Sequence, residues 1–330
     1  MTTRVDDYYG CRVVVTGAAG AIGGHLTKAL SDAGAEIVIA VDDLSAGLRE
    51  NLPEVANVTF IEGSIVDDEV LRRVFATDPV IVFHLAALFA NQNSIDHPEL
   101  DLHVNGQGTL NVLQNALRSG ASRFVFASTS CLAPPTGGGR PLGASMVGWA
   151  TPYQITKRLG EQYCQFFQSH HGLSTVRVRF YNSYGPGELP GYYRNVIPNF
   201  FYRAMTGQPL PILGTGEETR DWTFVTDIVE GLLKAGLAAQ VEGQVVNLGT
   251  GHETRVIDVA RQINALTGNR AGLTFQPRRC WDGNLRRVAP ISRTRRLLGH
   301  GCHTPLATGL PRTATWFDVN WSLIRRAARW

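Results

Sequence analysis

The segment RVVVTGAAGAIGGHL, residues 12–26, constrains this chain more than any other stretch. A β-rich run at 12–17 leads directly into Gly17, Gly20 and Gly23, and a helical pattern follows over 21–33. A strand that turns this sharply into a helix needs bare backbone, and G-x-x-G-x-x-G spacing lets a pyrophosphate approach it closely. The N–H groups that open the helix, at Ala21, Ile22 and Gly23, then face that anion. EIVIAVD at 36–42 reads as the second strand and ends on Asp42, 19 residues after Gly23. A carboxylate there accepts hydrogen bonds from the hydroxyls of an adenosine ribose. Asp42 is followed by Asp43 with no arginine beside them, which repels a 2′-phosphate, so the expected cofactor is NAD rather than NADP.

The same alternation continues. NVTFIEG (57–63), PVIVFHLAA (79–87) and RFVFAST (123–129) read as strands, separated by helical stretches near 67–76 and 98–119. TVRVRF (175–180) and QVVNLG (244–249) add further buried strands. Strands alternating with helices of this length predict an α/β fold, a Rossmann-type doubly wound parallel sheet with helices on both faces. The second half is less regular. Gly and Pro cluster at 183–191 and 207–216, and helices are expected at 195–206, 225–239, 255–267 and 311–329. This predicts an NAD-binding domain over 1–181, to which 225–255 returns, and a smaller α/β substrate-binding lobe from 182–224 and 256–330.

Several classes are disfavoured. No apolar run approaches the roughly 18 residues of a membrane span; Val80 to Ala90, the longest, contains His84 and reads as a buried strand. The N-terminus MTTRVDDYYG carries acids where a signal peptide has basic and apolar residues, so a cytoplasmic protein is expected. The five cysteines are scattered, with no metal-ligand spacing, so neither a disulfide framework nor a metal site is expected. From residue 270 onward there are twelve Arg, no Lys and two acids, so that segment carries +10 against +3 for the whole chain. A nucleic-acid surface would also need interleaved aromatics and a binding motif. The segment reads instead as a solvated basic face, from which one or two arginines can hold a substrate diphosphate.

TPYQITKRLGEQYCQFF (151–167) opens a helix near Pro152 and places Tyr153 and Lys157 four residues apart on one face. A free phenol titrates near pH 10 and is a poor base at neutral pH, but a neighbouring ammonium and a positive nicotinamide favour phenolate. A phenol tuned in this way can take a proton from a sugar hydroxyl while hydride leaves the same carbon. Spacing alone fits better an amphipathic helix with a surface Lys and a packed Tyr.

TGAAGAIG, HLAA (84–87), ASTS (127–130), Tyr153-x-x-x-Lys157 and RDWTFVTD (220–227) occur in that order. Together they resemble the extended short-chain dehydrogenase/reductase family, in its NAD-dependent nucleotide-sugar epimerase/dehydratase branch. The resemblance spans about residues 10 to 300. It implies a catalytic set of Thr129, which hydrogen-bonds the reacting hydroxyl; Tyr153, the base; and Lys157, which holds the nicotinamide ribose. It implies that Leu85, Ala86 and Ala87 line the cofactor crevice, with Asn105 behind the active site. Asn182 and Ser130 would contact substrate, and Arg220 with Arg279 would hold the diphosphate of a UDP- or dTDP-sugar. It also implies a homodimer packed through the Tyr153 helix and the helix at 98–119.

Three departures bear on the reaction. Near the adenine the family's Asp is replaced by Ser64, followed by Ile65, so the Ser64 hydroxyl or backbone takes that contact. The aromatic–glycine ending expected after ASTS is missing, and CLAPPTGGGRPLGASMVGW (131–149) follows instead, a glycine-rich loop beside the sugar site. Family dehydratases carry an Asp–Glu pair directly after the catalytic Thr, and decarboxylases a Glu two residues after it; here those positions are Ser130 and Cys131. Elimination and decarboxylation lack their acid/base, while epimerisation needs only oxidation, rotation of the keto-sugar and return of hydride to the other face. The expected activity is therefore a nucleotide-sugar epimerase, acting at carbon 4. A dehydratase or decarboxylase on the same scaffold is the alternative, with Glu188 as a possible acid from another segment.

Overall fold

In a computed structural model, the residues described are 8–133, 151–279, 281–282 and 285–330. Six Val/Ile-rich runs pair in parallel: Arg12–Thr16 (β1), Ile37–Asp42 (β2), Val58–Glu62 (β3), Ile81–His84 (β4), Arg123–Thr129 (β5) and Thr175–Phe180 (β6). The strand Val245–Leu248 adds to β6, giving the order Val245–Leu248, β6, β5, β4, β1, β2, β3. Such strands are apolar almost throughout because helices cover both faces of the sheet; all seven residues of β5 are buried. The architecture is thus the expected Rossmann-type parallel sheet.

On one face Ala21–Asp32 (α1) packs against the Val225–Leu237 helix, and Leu26, Leu30, Ile228 and Leu232 are buried over Val13, Val15 and Phe83. The other face carries Asp68–Phe75 (α2), the Thr109–Arg118 helix and the Pro152–His171 helix, with Leu71, Val112, Leu113, Cys164 and Phe167 over Val14, Val82 and Phe124. The start of α2 is fixed by Asp67, whose side chain accepts the N–H groups of Glu69 and Val70. Because β1 leads to β2 on one side and pairs with β4 on the other, the sheet has its switch point between β1 and β4. A crevice opens there beyond the strands' C-terminal ends.

A separate core, with Phe200, Phe201, Ile263, Leu310 and Phe317 at its centre, joins the helices Val196–Met205, Val256–Thr267, Leu306–Val319 and Trp321–Ala327. Two segments differ from expectation. The stretch 98–119 is helical in three parts, Pro98–Asp101, a π-helical turn Leu102–Gly108, and Thr109–Arg118. The C-terminal helix begins earlier, at Leu306, and breaks at Asn320. It runs through Pro311 because burial of Leu310, Thr313 and Phe317 outweighs one lost helical hydrogen bond. Among the described residues, no helix is long and apolar enough to cross a membrane.

Candidate active site

The glycine turn lies in the crevice, and its three glycines do different work. Gly17 adopts φ +69°, and a Cβ there would lie 2.6 Å from the Ala86 nitrogen. A Cβ on Gly23 would lie 2.1 Å from the Gly17 oxygen, so this residue lets α1 sit directly on the strand end. A Cβ on Gly20 would meet only the Gly17 oxygen, at 3.3 Å; the space above it is open. Gly20 caps α1 without a side-chain hydrogen bond, so the first-turn N–H groups around the partly exposed Ala21 and Ile22 are left for an anion. A bare backbone cradle over an uncapped helix start is what a dinucleotide pyrophosphate requires.

Asp42 ends β2 half-buried, and its carboxylate accepts from Ala19 N (3.0 Å) and Leu44 N (2.9 Å). Burial pushes its carboxyl up and those two N–H groups oppose the shift. It therefore fastens the glycine turn to the loop after β2. Asp43 is exposed and is used within that loop by Ser45 N and Oγ. The sequence shows no arginine beside this acid pair, but the fold brings two from far along the chain. Arg194 donates to the Ala46 carbonyl, and Arg329 to those of Ser45 and Leu44. Both are directed at backbone oxygens. Ser64 is half-buried and its hydroxyl lies 3.5 Å from Val66 N; Ile65 packs so closely on the π-helical turn that a Cβ on Gly108 would lie 2.6 Å from it. Leu85 N and Ala86 N bond the Thr16 carbonyl (3.1 Å) and hydroxyl (3.2 Å), closing the crevice's far wall, which Ala87 continues.

Thr129 is the last residue of β5, and the Tyr153 helix starts beside it. Thr151 sets that start, accepting Gln154 N at 3.4 Å and donating to Asn91 Oδ1 at 2.7 Å, with Pro152 at the first helical position. Tyr153 and Lys157 are both buried, and Phe89 stands edge-on to the Tyr153 ring. Lys157 Nζ donates to the Ala127 carbonyl at 3.0 Å and lies 5.1 Å from the Phe126 ring centre and 5.9 Å from that of Tyr153. Burial lowers the Lys157 ammonium to about 8. Burial also pushes the Tyr153 phenol up, helped by Cys131 and opposed by the Thr129 hydroxyl. The expected lowering by Lys157 is therefore not found in the chain alone: desolvation wins, and the ammonium is spent on a carbonyl and the ring faces.

Sequence reasoning missed what stands behind this pair. Thr16 Oγ1, His84 and Thr109 Oγ1 form a buried chain of contacts at 2.8 and 3.0 Å, and burial holds the His84 ring near 3, hence neutral. The Ser128 hydroxyl donates to Glu161 at 2.5 Å, and Arg179 grips both oxygens of that carboxylate, locking the Tyr153 helix to β6. Asn105, on the π-helical turn, accepts Leu88 N at 2.8 Å and donates to Leu88 O (3.1 Å) and Asp101 (2.7 Å). It thus shapes the loop after β4 instead of facing the crevice directly. The one legible signal was Asp101 and Asn105 at i, i+4 on one helix.

On the substrate side, Ser130 is buried in a single 3₁₀ turn, Ser130–Leu132. Thr129 Oγ1 accepts Cys131 N at 3.2 Å, and the Cys131 thiol lies 3.9 Å from Asn91 Nδ2. Asn182 Oδ1 and the Tyr181 hydroxyl are buried with no hydrogen-bond partner among the described residues. Arg220 is buried and directed at Asp282 (3.2 and 3.3 Å). Beside it in register stands Arg287, a residue the sequence did not single out. Arg279 lies over the Trp281 ring at 5.5 Å. Glu188 donates nothing to this group: Asn195 bonds it at 2.6 Å, burial raises it to about 7, and it shares Arg194 with Asp42. Most of the 131–149 loop, residues 134–149, lies outside the described residues.

The family model described as NAD dependent epimerase/dehydratase matches residues 13–249. The UDP-glucose 4-epimerase of Mycolicibacterium smegmatis is 33% identical over 93% of this chain and 98% of its own. The UDP-N-acetyl-alpha-D-glucosaminuronate decarboxylase of Bacillus cytotoxicus is 34% identical over 81% and 83%. Among solved structures, epimerase Mth375 from Methanothermobacter thermautotrophicus is 49% identical with a TM-score of 0.95, covering 99% of this chain and 97% of that one. Bordetella bronchiseptica WbmF, solved with NAD+ and UDP, is 33% identical with a TM-score of 0.85, covering 98% and 96%.

Proposed function

The chain belongs to the NAD-dependent epimerase/dehydratase family, and from that premise we propose that it epimerises a UDP- or dTDP-sugar at carbon 4. The observation that carries this reading is a gap in acidic chemistry. From Leu102 to Gly160 the sequence contains no Asp or Glu, a span that includes Ser130, Cys131 and the whole loop to the Tyr153 helix. Asp101, just before it, is fully buried with both oxygens hydrogen-bonded, and Glu188 sits with Asn195 and Arg194. No carboxylate is thus free beside Thr129 and Tyr153 among the described residues, which favours redox inversion over elimination or decarboxylation.

NAD, when bound, would supply the hydride acceptor and donor for the sugar carbon. Thr129 offers its hydroxyl proton to the reacting sugar oxygen, and Tyr153 exchanges a proton with that oxygen. The buried phenol is neutral in the chain alone, so it serves as a base only with added positive charge beside it. Lys157 holds a ribose, and Arg220 with Arg287 holds the diphosphate, each as a fixed donor fork. The name of the B. cytotoxicus relative keeps decarboxylation as the second reading. We further propose a cytoplasmic homodimer. Leu100, Leu102, Ile155 and Phe166 are exposed on the two packed helical segments that would form its interface. Cys11, Cys131, Cys164 and Cys302 are all free thiols, which suits a reducing compartment.

The test is proton NMR with mass spectrometry on the protein plus NAD in heavy water, with a panel of UDP- and dTDP-sugars. Unchanged mass, an inverted carbon-4 proton and no ring deuterium are expected. Loss of water or carbon dioxide, or deuterium beside a new carbonyl, refutes the reading.

A further inference from the structure

A carboxylate with no role in the chemistry above lies directly behind the catalytic pair. Asp101 is fully buried at the end of the Pro98–Asp101 helix. Its Oδ1 receives the Thr156 hydroxyl at 2.7 Å and its Oδ2 receives Asn105 Nδ2 at 2.7 Å. Thr156 is the residue next to Lys157, and Asn105 holds both backbone groups of Leu88. We propose that Asp101 is the positioning residue of the Tyr153–Lys157 pair, ordering the donors behind it and supplying the fixed negative charge against which Lys157 keeps its proton. The proposal rests on the reading of Lys157 as a cofactor-holding ammonium.

The ordering argument follows from donor and acceptor types. Asn105 must present its oxygen to Leu88 N–H and its NH₂ to Leu88 C=O, so its amide has one orientation only. The second N–H of that NH₂ then points at position 101, where an acceptor is required. Thr156 finds its closest acceptor there, at 2.7 Å, against 3.2 Å to each of the Pro152 and Tyr153 carbonyls. A carboxylate is acceptor-only and meets both demands. An amide in its place can offer its oxygen to the Asn105 NH₂ and its own NH₂ to Thr156, whose hydroxyl then turns to the Pro152 or Tyr153 carbonyl, so Asp101→Asn removes the charge and keeps the hydrogen-bonded frame.

The charge argument rests on what surrounds Lys157. From β4 comes His84, neutral; from β5 the Ala127 carbonyl and the Phe126 face; from its own helix Tyr153 and Cys164; and from the 98–108 segment Asp101. Asp101 and Cys164 favour the ammonium, and burial keeps the Cys164 thiol protonated. Burial pushes the Asp101 carboxyl up, and the Thr156 and Asn105 hydrogen bonds and the Lys157 charge oppose that shift; as the carboxylate these groups favour, Asp101 is the counter-charge that opposes the desolvation of Lys157.

The whole chain contains three lysines, Lys28, Lys157 and Lys234, so lysine-specific ¹³C labelling gives a spectrum in which Lys157 can be assigned and titrated without substrate. In the native protein its midpoint is expected near 8. In Asp101→Asn it should fall by about one pH unit or more, a tenfold loss of proton affinity, with Lys28 unmoved. Thr156→Val, which removes the hydrogen bond and leaves the charge, should hold the native midpoint while lowering turnover, with Thr156→Ser restoring it. An unmoved midpoint in Asp101→Asn, or an equal fall in Thr156→Val, overturns the proposal. Should Asp101→Asn not fold, the native titration decides: a midpoint below about 7 means that no effective counter-charge is present. An inactive protein whose Lys157 titrates near 8 would count against the reaction and not against Asp101.

Discussion

The same substitution, glycine to alanine, made at three positions of one turn should give three outcomes. Gly20 has φ −70° and ψ 167°, ordinary for alanine, and an added methyl meets only the Gly17 oxygen at 3.3 Å. The folding cost is the lost preference for glycine at a helix cap, about 0.5–1 kcal/mol. Gly23→Ala drives a methyl to 2.1 Å from the Gly17 oxygen and 2.8 Å from the Ala18 Cα, both backbone, so overpacking of about 1–3 kcal/mol or more follows. Gly17→Ala adds about 1–2 kcal/mol for its left-handed conformation to a contact 2.6 Å from the Ala86 nitrogen. Cofactor binding should rank differently. A methyl on Gly20 occupies the open space where a pyrophosphate would meet the α1 N–H groups; losing two charge-assisted hydrogen bonds of about 1.5 kcal/mol each is about 3 kcal/mol, roughly a hundredfold in Kd. Differential scanning fluorimetry without cofactor and calorimetric titration with NAD separate the two effects. Gly20→Ala should melt close to the native protein and bind NAD weakly, while Gly23→Ala melts well below it. Native NAD affinity in Gly20→Ala, or a melting point as low as that of Gly23→Ala, would refute the assignment of the cradle.

Tyr153→Phe should cut turnover by about a hundredfold to ten-thousandfold with NAD affinity retained, measured by coupled assay and titration. Arg220→Ala and Arg287→Ala should each weaken UDP binding about tenfold or more by calorimetry, and Arg279→Ala much less, since Arg279 lies on Trp281. Lys157 loses its proton near pH 8 in the folded chain, below its unfolded value, so the unfolded state binds the extra proton more tightly between those values. Its burial therefore costs stability at neutral pH, and that cost is relieved as pH rises above 8. Lys157→Met should be at least as heat-stable as the native protein at pH 7 yet inactive, and native NAD affinity should decline above about pH 8. Ile155→Glu, placing a charge on the exposed apolar face, should give a monomer by sedimentation velocity if the proposed dimer forms there.

The fold was legible because its determinants are local. Val-rich runs alternating with helical patterns, and glycines at Gly17, Gly20 and Gly23, each state a backbone requirement within a few residues. The Thr129, Tyr153 and Lys157 set was read from the ordered motifs that resemble the family, because spacing alone favours a packed Tyr and a surface Lys. What the sequence could not carry were properties that arise from burial and from distant contacts. The Tyr153 phenol was expected to be lowered by Lys157, yet desolvation raises it, because the strength of a charge depends on which groups it faces and how much water remains. Arg287 beside Arg220, and Arg194 and Arg329 at the loop after Asp42, come from segments tens to hundreds of residues away. Asp101 reads as one more acid on a helix until tertiary packing removes it from water. The sequence by itself determined where the chain turns, which residue types line the crevice, and which acids are missing near Thr129. Only the tertiary structure decided which charges meet, because a charge pair or a buried hydrogen bond is set by separation in space, which chain order does not encode.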